Sequence, residues 1–124
     1  MAGKVLTDIK DYIAQTTRNK IVICRNSIDG LEFINVGYDL SKLLSKNSYN
    51  NEEAVSAILD NTFHNEIIGN YLALTNIAIL FEPELKINVS DILDAYSRNQ
   101  CLIIQTDQDI LQWTNLNGLS YKQI

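Results

Sequence analysis

The sequence predicts a single α/β domain over residues 1–124, three layers deep, with helices on both faces of a mostly parallel sheet. Three observations predict it. Residues 72–81 and 101–104 are near-continuous apolar runs, as expected of strands buried on both faces. Between them Val89, Ile92, Leu93 and Tyr96 recur at the spacing of one helix face, behind Asn88 as N-cap and Asp91 at the positive end of the helix dipole. Strand, helix and strand in that order form a βαβ unit with parallel strands. Finally, 124 residues with 46% apolar and 20% charged side chains suffice for a core without disulfide or metal staples.

The other elements follow in chain order. Residues 4–17 read as a helix with Val5, Leu6, Ile9, Tyr12 and Ile13 on one face, and a polar break at 16–20 precedes the short strand 21–24. Residues 26–30 are turn-like, with Asp29-Gly30 as a hairpin signal before a second strand at 31–36. About nine residues separate the two apolar cores, fewer than a helical crossover takes. The pair is therefore either a hairpin, or the second strand is a short irregular segment. Asp39 caps a helix over 40–46 with Leu40, Leu43 and Leu44 inward, and residues 47–51 are a polar linker. Asn50 with Glu53 has the spacing of a capping pair for a helix at 52–68, which buries Val55, Ile58, Leu59 and Phe63 and ends at Gly69. Glu82-Pro83-Glu84 stops the strand 72–81, since Pro83 cannot donate to a ladder. Ser97-Arg98-Asn99 closes the central helix. A short helix at 107–113, a turn at 115–118 and an alternating edge strand at 119–124 complete the reading.

Charge and composition exclude several classes. The net charge of −5 is unlike that of a whole-surface nucleic-acid binder. It is uneven: residues 1–48 hold seven Lys/Arg and five Asp/Glu, and residues 49–124 hold three and ten. A nucleic-acid-binding accessory role for the amino half is therefore an alternative, not the favoured reading. No secretory signal is expected, because no cationic segment precedes a long apolar stretch, and no run approaches the ~20 residues of a membrane span. A cytoplasmic protein with no membrane partner is the expectation. Cys24 and Cys101 read as reduced, buried, inert thiols whose sulfurs approach if their strands are neighbours.

Catalytic signals are sparse. His64 is the only histidine and falls within a predicted helix, no His/Cys ligand spacing marks a metal site, and no nucleophile elbow exists. No catalytic residue, metal or cofactor is assigned. Glu82 and Glu84 read as the polar end of a strand, and Asp91 and Asp94 as a solvated helix face. Arg98 sits where it neutralises the carboxyl end of the central helix. The six tyrosines are scattered and form no stacking platform for bases.

Leu74-Thr75-Asn76-Ile77-Ala78-Ile79-Leu80-Phe81-Glu82-Pro83-Glu84-Leu85 and Ser97-Arg98-Asn99, with Ile34-Asn35-Val36-Gly37 and Leu40-Ser41-Lys42-Leu43-Leu44 earlier, resemble the BrxF family. Its members are small P-loop, ATPase-like proteins of type-3 BREX phage-defence systems. The resemblance implies a sheet like a trimmed P-loop NTPase core. It also exposes two departures. The family's Walker B strand carries an aspartate and a glutamate where this chain has Thr75 and Ala78. Its Gly-rich Walker A loop ends in Gly-Lys-Ser/Thr, where this chain has Arg25-Asn26-Ser27-Ile28-Asp29-Gly30 and no room for a following helix. The expectation is a non-catalytic, pseudo-ATPase interaction module. By resemblance its partners are the system's larger ATPase, methyltransferase or phosphatase-like protein, or copies of itself. The alternative is a nucleotide-binding protein or weak ATPase with an atypical phosphate loop, for which Lys20, Arg25, Gly30 and Arg98 are the candidate binding residues.

Overall fold

The computed structural model describes residues 2–15, 19–45, 50–106 and 121–124. Helix α1 (Ala2–Gln15) leads to strand β1 (Ile21–Cys24). Strand β2 (Phe33–Asn35) runs directly into α2 (Val36–Leu44). Then follow α3 (Asn51–Leu59), β3 (Phe63–Asn65), β4 (Gly69–Thr75) and two short 3-10 turns, Ile77–Phe81 and Pro83–Leu85. Helix α4 (Val89–Ser97), β5 (Cys101–Gln105) and β6 (Lys122–Gln123) complete the described chain.

The sheet order is β2-β4-β5-β1-β6, and every pair along it is parallel. The exception is β3, which lies antiparallel against residues 69–71 of β4 while β2 occupies residues 73–75. Alternation through the central strands divides the core cleanly. Ile21, Ile23, Leu72, Leu74, Leu102 and Ile104 meet α2, α3 and α4 on one face. Val22, Cys24, Tyr71, Ala73, Cys101 and Ile103 meet Leu6 and Ile9 of α1, with Ile28, on the other. Each central strand buries side chains on both faces, which is why these segments read as unbroken apolar runs. The result is the expected three-layer arrangement, with the βαβ unit β4-α4-β5 at its centre.

Several expectations need correction. The strand at 72–81 ends at Thr75, because Asn76 takes a left-handed backbone (φ 56°) and residues 77–81 coil into a 3-10 turn. Asparagine is among the few residues that adopt that conformation readily, and here it ends the strand before Glu82 and Pro83 do. The helix at 52–68 ends at Leu59: Asp60-Asn61-Thr62 are weak helix formers, and Asn61 Nδ2 caps the Ile58 carbonyl at 2.8 Å. His64 therefore lies in β3 rather than a helix, and Gly69 opens β4 with φ +81° instead of ending a helix. The second strand spans only 33–35, and α2 starts at Val36 because Asn35, not Asp39, is its N-cap, accepting from Tyr38 N at 3.0 Å.

Of the two arrangements left open for 21–36, the hairpin is not formed. β2 sits three positions from β1, beyond β5 and β4. Three strand spacings are about 14 Å, well within the reach of the eight residues 25–32, so the crossover takes place without a helix. Asn50 and Asn88 cap α3 and α4 as expected, accepting from Glu53 N at 2.7 Å and Asp91 N at 3.2 Å. The readings at 107–113 and 115–118, together with Lys46 and most of the 47–51 linker, lie outside the described residues. The final strand is seen only at 122–123, parallel to β1 at the end of the sheet order.

Candidate functional site

In an open α/β sheet, ligands sit beyond the carboxyl ends of adjacent strands whose onward connections leave in opposite directions. β1 and β5 are that pair. From β1 the chain runs to β2 at one edge, and from β5 it runs past β1 to β6 at the other. A cavity of about 350 Å³ lies there, lined by Val5, Ile28 and Ile124 and by the polar run Arg25, Asn26, Ser27 and Asp29 after Cys24.

The loop forming its rim is fastened at several points. Thr106 N donates to Cys24 O at 2.8 Å, and Ser27 Oγ donates to Gln105 Oε1 at 2.9 Å, joining the loop to the end of β5. Ile28 is buried against α1 and Val22. A turn brings Leu31 N to Ile28 O at 3.2 Å around Gly30, whose φ of +91° suits glycine. Glu32 N then donates to Tyr71 Oη at 2.8 Å and Asn65 Nδ2 to Gly30 O at 3.4 Å. Arg25 is exposed, and among the described residues no carboxylate pairs with it.

This rim lacks the parts of a phosphate cradle. Such a cradle converges successive backbone N–H groups on the anion, using glycines for close approach and the amino end of the next helix for its dipole. Here one glycine is present, and the next helix, α2, begins beyond β2 at the far edge of the sheet. At the end of β4, where a nucleotide hydrolase holds its magnesium, Thr75 and Asn76 carry amide and hydroxyl groups. Asn76 Nδ2 donates to Asn35 Oδ1 at 3.0 Å, and Gly37 N to Asn76 O at 3.0 Å. Ala78 lies in the 3-10 turn, exposed. Among the described residues no group of three potential metal ligands is assembled.

The four candidate binding residues divide into two pairs. Arg25 and Gly30 belong to the crevice loop. Lys20 and Arg98 meet at the opposite pole of the sheet, where Lys20 Nζ donates to Arg98 O at 2.9 Å. Four strand residues, hence five steps along the chain, separate Lys20 from Arg25 by roughly 16 Å, so neither Lys20 nor Arg98 shares the crevice with them. Arg98 caps α4 and grips Asp94 one turn back with both Nε and Nη2. Asn19, buried beside this pair, donates to Asp94 Oδ1 at 2.8 Å and Ser97 Oγ at 2.9 Å, while Lys20 N donates to Ser97 O at 2.9 Å. That pole joins β1 to the end of α4.

The cysteines stand on adjacent strands at opposite ends: Cys24 is level with Gln105, and Cys101 begins β5. Both are free and buried. Desolvation pushes the Cys24 thiol up to about 11 and the Cys101 thiol to about 12, so neither is a nucleophile near neutrality. His64 is exposed, with Nδ1 3.2 Å from Asn70 Oδ1. Sequence reasoning missed the loop's anchors, Asn65, Tyr71 and Gln105, because each acts across a distance of 35 or more residues. No helix among the described residues is long and apolar enough to cross a membrane. No protein-family model, curated protein or solved structure matches the chain.

Proposed function

We propose that the chain is a non-catalytic, P-loop-like interaction module. The single observation that carries this reading is the connection after β1. In a sheet with a ligand crevice at the β1–β5 switch point, residues 25–32 run straight to the edge strand without the helix and glycines a phosphate needs. The end of β4 supports it, with amides where hydrolysis calls for a carboxylate. The resemblance to the BrxF family suggests the setting, a BREX-like phage-defence system whose other proteins are the partners.

One observation favours a second reading. The crevice stands where nucleotides bind in such sheets, and Arg25 at its rim has no carboxylate partner among the described residues. Thermal unfolding with 1 mM ATP and magnesium, and separately with ADP, separates the two. A site with a Kd near ~0.1 mM would add about 1.4 kcal/mol, a rise of several degrees for a chain of this size. No shift is expected. A reproducible rise that Arg25→Glu abolishes would replace the non-catalytic reading with nucleotide binding at the crevice.

A further inference from the structure

Away from the crevice, residues of α3 and α4 line a second cavity of about 300 Å³. Its floor is apolar, formed by Ile87, Ile92 and Tyr96, all half-buried against the core. Glu52 and Asp91 stand on its rim, exposed, with Lys86 beside them. The two sides are tied to each other by fixed contacts: Asn51 Nδ2 donates to Leu85 O at 3.1 Å, and Tyr96 Oη donates to Asp60 Oδ1 at 2.5 Å.

Charge identifies the occupant. Residues 51–97 carry eight carboxylates and a single cation, Lys86. Glu52, Glu53 and Asp91 answer the dipoles of the helices they begin, yet each helix start amounts to only about half a positive charge. With Asp60 and Lys86 counted, roughly two negative charges remain around the groove. The cavity is about twice the volume that holds one benzene ring, room for two apolar side chains. Its lining is α3, α4 and residues 86–88 just before α4, so no strand edge is offered for backbone pairing, and the geometry suits an amphipathic helix laid in a groove.

We propose that the α3–α4 groove docks a basic amphipathic helix of a partner protein, two of its apolar side chains on Ile87, Ile92 and Tyr96 and its Lys or Arg residues facing Glu52 and Asp91. The proposal rests on the interaction-module reading and gives it a partner chemistry. It is tested by fluorescence anisotropy with a labelled Leu/Lys peptide of roughly 14 residues, about four helical turns, and a control peptide with every Lys replaced by Glu. Ser56→Trp fills the groove from an exposed position without changing charge, and circular dichroism confirms its fold. The Leu/Lys peptide is expected to bind, the control not to. Ser56→Trp should weaken binding at least tenfold, and Lys86→Glu should strengthen it about threefold to tenfold, both most clearly at low salt.

Peptide affinity unchanged by Ser56→Trp would overturn the proposal, leaving general adsorption to an acidic surface. So would equal binding of the control peptide. A concentration-dependent dimer in sedimentation, dissolved by Ser56→Trp, would assign the groove to a second copy instead. Nucleotide binding at the crevice would sink the non-catalytic reading and leave the peptide result standing; a failed peptide leaves the nucleotide titration unaltered.

Discussion

Gly37 and Asn76 are fitted closely to each other at the carboxyl end of the sheet. A Cβ on Gly37 would lie 2.3 Å from Asn76 Nδ2 and 3.1 Å from Asn76 O. Asn76 cannot withdraw easily, because Gly37 N and Asn35 Oδ1 both hold it. Alanine gains up to about 1 kcal/mol of helix propensity at a glycine position, but the clash is the larger effect. Gly37→Ala should destabilise by about 1–3 kcal/mol in urea unfolding. Asn76→Gly added to it removes the colliding amide and relieves the left-handed backbone, so the double variant should be more stable than the sum of the single effects. Additive losses would show that the pair is not coupled.

Three helices begin on an asparagine: α2 on Asn35, α3 on Asn50 and α4 on Asn88. Each Asn→Ala should cost about 1 kcal/mol by chemical denaturation. Asn35→Ala and Asn88→Ala should each cost more than Asn50→Ala, since Asn35 Oδ1 also accepts from Asn76 Nδ2 and Asn88 Oδ1 also accepts from Ser90 Oγ. Equal losses at all three would mean that neither second bond, from Asn76 to Asn35 or from Ser90 to Asn88, contributes. The caps of α3 and α4 were legible because each asparagine precedes an acidic residue at the right offset. Asn35 was not, because it closes a strand and opens a helix with no loop between, and apolar Ile34 and Val36 read as one extended run. The same confusion extended the strand beyond Asn76, since a 3-10 turn of Ile77, Ala78, Ile79 and Leu80 is as apolar as the strand it follows. At 60–68 the helical pattern lost to pairing with β4, a partner that spacing within the segment does not reveal. Of the candidate site, the single glycine in residues 25–30 and the lack of a helix directly after them were legible. The division of Lys20 and Arg98 from Arg25 and Gly30 was not, because four strand residues carry the chain across the whole sheet.

Both thiols lie in the core beneath α1, and burial makes each reluctant to ionise. Their folded pKa values, about 11 and about 12, exceed the ordinary 9.0. For groups raised in this way the stabilising contribution is complete below pH 9 and declines as pH climbs toward the folded values. Urea midpoints should therefore show no loss from these groups between pH 7 and 8.5, then fall above pH 9. Replacing Cys24 and Cys101 by alanine should flatten the alkaline limb relative to its own neutral baseline. An unchanged limb in that variant would place the alkaline sensitivity elsewhere, with Tyr96 the first alternative, its phenol raised to about 12 by burial and by Asp60.

The strand order has a consequence for how the molecule is made. β1, near the start of the chain, takes both its neighbours from residues beyond 100. During synthesis at ~5–20 residues per second, Ile21–Cys24 therefore waits several seconds with both edges unpaired, until Cys101–Gln105 is translated. The β4-α4-β5 unit cannot stand in for it, since the apolar faces of β4 and β5 are completed by α1 and Ile28 on one side. A nascent chain stopped anywhere before β5 holds an apolar strand, Ile21–Cys24, with neither of its partners present, which makes the arrival of Cys101–Gln105 the trigger for closing this sheet.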